Sequence, residues 1–277
     1  MRHHALLVRA AATALALVVL APAGRAQTLP ADGDSALARL NASPRHGEWV
    51  KVGAGGGDSV MTWVVYPERR DRAGVVVVIH EIYGLTDWVR GVADQLAAEG
   101  FIAVAPDLLS GRGPAGSGTP ADRQEAVRLV RELRPDDVAR RLGAAATWAT
   151  RLPAARNAVA SIGFCWGGGA SFAFATAWPG LRGAVVYYGT APDTTGLARI
   201  AGPVLGLYGG DDARVTATVE PTRQAMARLG KTYDPHVFDG AGHGFLRDQA
   251  GREGANRRAA QQAWPATLAF LRQALGN

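Results

Sequence analysis

The chain has 277 residues, 48% hydrophobic and 19% charged, with a formal net charge of +6 and a single cysteine. That length is ample for one large α/β domain with its own core and short for two. Its arginines are scattered, with no basic stripe interleaved with aromatics, which argues against nucleic-acid binding; one cysteine excludes an internal disulfide, and the spacing of cysteine and histidines gives no metal site.

Residues 1–26 read as an export signal. Arg2 and Arg9 precede or flank an apolar run from Ala10 to Leu20, and Gly24-Arg25-Ala26 offers small residues for cleavage before Gln27. The run is too short for a permanent span and no other stretch is long enough, so the expectation is an exported protein, periplasmic or secreted, without stable membrane insertion. Loss of the signal removes Arg2, Arg9 and Arg25 and no acid, lowering the formal charge by three to +3. Residues 27–46 read as a polar extension with a helical stretch around Ser35–Leu40, and 47–277 as the folded domain.

Glu48–Val52 and Val60–Tyr66 are predicted strands of an antiparallel hairpin across the glycine-rich Gly53–Asp58. No Gly-Lys-Ser/Thr follows those glycines, so they are not a phosphate loop. Gly74–Ile79 is a β-branched run typical of a central strand buried on both faces. A helix over Trp88–Glu99 ends at Gly100, and Phe101–Ala105 is the next strand. Ser110–Thr119, rich in Gly and Pro, reads as a mobile surface loop. Thr119-Pro120 then reads as a cap and first turn opening a helix to about Arg131, followed by a second from Asp136 to about Arg151. Strands are predicted at Ala158–Phe164, Ala184–Tyr188, Val204–Tyr208 and Thr232–Phe238. Helices are predicted at Trp166–Ala177, Val219–Leu229 and Asn256–Leu275. This alternation implies a mostly parallel central sheet with helices on both faces.

The cysteine occupies the centre of Gly163-Phe164-Cys165-Trp166-Gly167, directly after an apolar strand. Small residues two before and two after a nucleophile mark a sharp strand-to-helix elbow, here carrying sulfur. The following helix points free N–H groups back at the sulfur, favouring negative charge there and on an adjacent oxyanion. An unpaired thiol in an oxidising compartment is a liability unless chemistry requires it. An inert buried cysteine has no need of the flanking glycines.

Functional residues of a doubly wound sheet gather beyond the carboxyl ends of its strands. Those positions hold His80-Glu81, Cys165, Asp211-Asp212 and His243. Nucleophile, acid and histidine follow the chain order of α/β-hydrolases. His243, in Gly240-Ala241-Gly242-His243-Gly244-Phe245, is the expected base; either Asp211 or Asp212 is the acid that orients it. No proton transfer is expected from His3, His4, His46, His80 or His236.

Ile79-His80-Glu81-Ile82-Tyr83-Gly84, Gly163-Phe164-Cys165-Trp166-Gly167-Gly168, Tyr187-Tyr188-Gly189, Gly209-Gly210-Asp211-Asp212 and the His243 segment together resemble the dienelactone hydrolase family, from about Glu48 to the C-terminus. The resemblance implies a single α/β-hydrolase domain, with Asp212 as the triad acid. It also implies that Glu81 takes the thiol proton when substrate binds. In such a fold the oxyanion hole is formed by the backbone N–H groups of Ile82 and Trp166. Arg247 and Arg123 fall on positions that grip a substrate carboxylate in the family. Val127 stands where the founding enzymes carry an aromatic hydroxyl, and Trp166 where leucine is typical.

The expected function is therefore hydrolysis of a small-molecule carboxylic ester or lactone through an acyl thioester on Cys165, by a monomer needing no cofactor. Two alternatives share the fold: an exported esterase or acyl transferase acting on a bulkier ester, and a non-catalytic thiol-bearing binding protein.

Overall fold

The computed structural model describes residues 28–276; the expected export signal lies outside them. Among these residues the strands are β1 (Gly47–Gly55), β2 (Asp58–Val65), β3 (Ala73–Ile79), β4 (Ile102–Pro106), β5 (Ala155–Phe164), β6 (Leu181–Tyr187), β7 (Val204–Gly209) and β8 (Tyr233–Phe238). The helices are α1 (Ala36–Asn41), α2 (Asp87–Ala98), α3 (Arg123–Arg131), α4 (Pro135–Ala149), α5 (Trp166–Ala177), α6 (Thr194–Leu197), α7 (Ala213–Thr216), α8 (Val219–Arg228) and α9 (Ala255–Leu275). None is long and apolar enough to cross a membrane. Every predicted strand and helix is present. The short α6 and α7 were not anticipated, because a single turn carries no periodic pattern.

The strands form one sheet in the order β1-β2-β4-β3-β5-β6-β7-β8. β1 pairs antiparallel with β2, and β2 antiparallel with β4; all other neighbours are parallel. The alternation of β3 explains why it must be central. Val76 and Val78 enter the core beneath α2 and α9, beside Trp88, Trp264 and Leu268. Val75, Val77 and Ile79 enter the opposite core with Leu142 and Phe172. At roughly 1.5–3 kcal/mol for each aliphatic side chain fully removed from water, this double burial dominates the stability of the sheet. Pro235 is accommodated because β8 is an edge strand whose outer side requires no ladder donor.

β3 pairs with β4 on one side and β5 on the other. The strand order therefore reverses between β3 and β5, opening a crevice at their carboxyl ends where such sheets bind ligands. Glu81 follows β3 and Cys165 follows β5, so topology alone brings them to one place.

One expectation is corrected around residues 119–123. α3 begins at Arg123, capped by Asp122, whose side chain accepts the Glu125 N–H at 2.8 Å. Thr119 is engaged elsewhere: its hydroxyl donates to Asp107 Oδ1 and accepts the Leu85 N–H, both at 2.8 Å. The preceding loop is exposed over residues 114–117 and anchored at its two ends. Buried Asp107 also accepts the Thr119 N–H at 2.7 Å, and buried Ser110 accepts the Met61 N–H at 2.8 Å.

The segment before β1 is docked onto the domain. Gly33 N–H donates to Arg247 O at 2.7 Å, Gln249 Nε2 to Pro30 O at 2.9 Å, and Trp88 Nε1 to Ala31 O at 3.0 Å. Arg45 makes a bidentate pair with the buried Asp94. The polar composition of this extension serves contacts to the domain rather than to water alone.

Candidate active site

Cys165 has φ +56° and ψ −117° and is the N-cap of α5. A residue with a Cβ holds that conformation only when its surroundings enforce it, and such strain gathers at functional positions. The packing of the elbow is the cause. A Cβ on Gly163 would stand 1.9 Å from Gly167 O, and one on Gly167 would stand 2.3 Å from His80 O. Only glycine at both places lets β5, the turn and α5 approach this closely. The Cys165 carbonyl accepts the N–H groups of Gly168 and Gly169, closing the first turn of the helix.

His243 sits on the loop after β8, with Nδ1 2.5 Å from Asp212 Oδ2. The two loops are braced to each other: Gly210 N–H donates to Phe238 O at 2.8 Å, and Asp211 N–H to Ala241 O at 2.9 Å. Gly242 N–H is tied to Asn256 Oδ1 at 2.9 Å. Asp211 turns outward to Arg252, 3.1 Å away. The choice the sequence left open is thus decided, with Asp212 as the histidine's partner. The ring also stands against buried Tyr188, with centroids 5.1 Å apart. Burial acts to lower the His243 pKa, but hydrogen bonding and charge from Cys165 and Asp212 outweigh it and lift it to about 9.

Glu81 is 2% exposed and lies 3.0 Å from Arg247 Nε, close as an ion pair but poorly aligned for a hydrogen bond. Burial raises its pKa; Arg247, His243 and Arg123 act in the opposite direction. Its partner in this structure is Arg247, not the thiol. Arg247 and Arg123 both stand over the Tyr83 ring, with guanidinium carbons 5.5 and 4.1 Å from its centroid. Tyr83 was not singled out from the sequence; its place in the Glu81 segment, directly after a strand, was the available signal. Arg123 lines a pocket of about 490 Å³ with Tyr83 and Val127.

Ile82, Trp166 and Cys165 line a larger cavity of about 890 Å³. The two residues whose backbone N–H groups are expected to form an oxyanion hole therefore border the same space as Cys165. His80 is fully buried and stacks on Trp166 at 5.5 Å. Its Nε2 accepts the Leu108 N–H at 3.3 Å, so Nδ1 carries the proton and donates to Glu81 O at 2.8 Å. Burial lowers its pKa, which keeps the ring neutral. It is a packing support for Trp166.

Residues 60–275 match the dienelactone hydrolase family. A Salmonella typhimurium protein named "Putative carboxymethylenebutenolidase" is 31% identical over 233 residues, covering 78% of this chain and 84% of its own. Among solved structures, a "Putative Dienelactone Hydrolase" from Klebsiella pneumoniae superposes with a TM-score of 0.73 at 27% identity, covering 83% of this chain and 99% of that one. The dienelactone hydrolase of Anabaena variabilis gives a TM-score of 0.62 at 25% identity, with 82% and 99% covered.

Proposed function

The chain belongs to the dienelactone hydrolase family and is a hydrolase of that type, and from that premise we propose that it cleaves a carboxylic ester or lactone through an acyl thioester on Cys165. The observation that carries this reading is a thiol at a strained elbow, opening onto a large cavity on one side and neighboured on the other by an imidazole held by a largely buried carboxylate.

The chemistry follows from the positions. The Cys165 thiolate, its proton passed to Glu81 as substrate binds, attacks the acyl carbon; a C–S bond forms and the carbonyl π pair moves to oxygen, while His243 stands by as the imidazolium. Ile82 and Trp166 N–H groups stabilise that oxyanion without reorganising. On collapse the C–O bond to the alcohol breaks, and the leaving alkoxide takes the proton from the His243 imidazolium. Water then attacks the thioester, giving its proton to His243, and the thiolate departs to leave a carboxylic acid. Asp212 fixes the imidazole tautomer and stabilises its cation throughout.

Glu81, Arg247 and Arg123 form the second part of the proposal. A substrate oxygen drawn to the two guanidinium groups on Tyr83 competes with Glu81 for Arg247. The carboxylate so released is buried, with a raised affinity for protons, and accepts the one held by the thiol.

Brief exposure to p-nitrophenyl acetate followed by intact-mass measurement tests the reading. One acetyl group on the native protein and none on Cys165→Ala is expected. An unmodified native protein with no nitrophenol release favours the binding-protein alternative and overturns the hydrolase mechanism.

We also propose that residues 1–26 direct export and that the mature chain begins near Gln27. N-terminal sequencing of the protein recovered from the periplasm or medium of an expressing bacterium reads this directly; an intact Met1 in the cytoplasmic fraction rejects it.

A further inference from the structure

The cavity that begins at Cys165 is far larger than a small lactone needs, and its shape is set by two helices. Along α5, Gly169, Ala170, Ala173 and Ala177 line it at helical spacing and are half-buried or exposed; Phe174 closes the lining from its core side, while Phe172 and Ala175 are packed into the core. Across from them, Val138 and Leu142 of α4 supply an apolar wall. The small side chains of α5 keep the trough open. From Trp166 to Ala177 it follows the helix for about 16 Å at 1.5 Å per residue. Its volume of about 890 Å³ lies in the range of sites that enclose ligands of twenty or more heavy atoms.

The charged groups on its lining are mixed in sign: Arg131, Arg199 and Arg214 against Asp136 and Asp193. Arg199 donates to Thr176 O and Asp193 accepts from Thr195, so both are already engaged. Nothing here selects a charge along the trough, whereas the alanine and leucine walls select apolar surface.

Which half of an ester lies there follows from the proton path. The departing alcohol oxygen must face His243, and His243 does not line this cavity, whereas Cys165, Ile82 and Trp166 do. The half that remains bonded to sulfur therefore extends the other way. Resting on the hydrolase reading above, we propose that the trough between α4 and α5 is an acyl-chain site, and that the substrates are esters of long, neutral, apolar carboxylic acids.

Two series of esters test this on the full-length protein: p-nitrophenyl acetate to octanoate, varying the acyl half, and ethyl to octyl acetate, varying the alcohol half. Burial of each methylene in the trough raises kcat/KM by up to about fourfold, so the octanoate-to-acetate ratio is expected to exceed tenfold in the native protein. Ala173→Trp, which fills the trough midway, is expected to cut that ratio at least tenfold while the octyl-to-ethyl ratio stays put; Ala170→Leu serves if the tryptophan variant fails to fold. A native preference for acetate, a ratio that survives the filled trough, or a response confined to the alcohol series overturns the acyl-chain site. Absence of turnover on every ester, or turnover undiminished in Cys165→Ala, instead brings down the hydrolase reading itself.

Discussion

Cys165→Gly is expected to abolish ester turnover and at the same time to melt above Cys165→Ala. Loss of the sulfur removes the atom that bonds to the acyl carbon, and losses of at least about 10⁴-fold accompany removal of a covalent nucleophile. The stability difference has a separate origin. At φ +56° and ψ −117° the backbone is held where a Cβ costs roughly 1–3 kcal/mol. Glycine relieves that strain but carries about 0.5–1 kcal/mol of extra backbone entropy in the unfolded chain. The net is about 1 kcal/mol, or roughly 2–4 °C for a domain of this size. Calorimetry of the two variants beside the native protein checks the result. Equal melting of the glycine and alanine variants would mean an unstrained elbow; retained turnover in either would remove Cys165 from the mechanism.

Asp212→Asn is expected to lower kcat about 10³–10⁴-fold, whereas Asp211→Asn changes little. Both aspartates follow β7, but only Asp212 reaches the His243 ring; Asp211 makes an exposed pair with Arg252 of the kind worth at most about 1 kcal/mol. The pH dependence separates orientation from simple loss of fold. Burial works to lower the His243 pKa, yet Cys165 and Asp212 together hold it at about 9, above the ordinary histidine value of 6.5. A raised folded-state pKa contributes stability that is complete below pH 6.5 and is lost as pH rises through about 9. The native melting temperature should therefore decline across that window more steeply than that of Asp212→Asn. The alkaline limb of kcat, where the imidazolium that must protonate the leaving alkoxide disappears, should move to lower pH in the variant. Equal damage from the two substitutions, or an unmoved alkaline limb, contradicts the assignment of Asp212.

The regular elements were legible because each has a local cause. The Val75–Ile79 run reads as a strand buried on both faces, and it is one. Gly163 and Gly167 read as an elbow because no side chain fits there, which the close approach of backbone oxygens bears out. The opening of α3 was misread for an equally specific reason. Thr119-Pro120 has the chemistry of a helix start, but the Thr119 hydroxyl is drawn to Asp107 and Leu85, and Asp122 caps the helix instead. Asp107 lies 12 residues before Thr119, beyond the reach of any short-range pattern. Tyr83 went unnoticed for the same cause: its arginine neighbours come from α3 and from the loop after β8, and nothing nearby in the chain announces them.

From residue order alone came the α/β class, the elbow at Cys165, His243 and the resemblance that named Asp212, Glu81, Arg247 and Arg123. All of these depend on spacing within a few residues or on motif order along the chain. Only the folded protein decided that Asp212 rather than Asp211 meets the imidazole by geometry, that Glu81 is paired with Arg247, and that Cys165 opens onto a trough between α4 and α5. Those are relations between side chains separated by tens to more than a hundred residues. Distance along the chain carries no information about them until the sheet has brought the strand ends together.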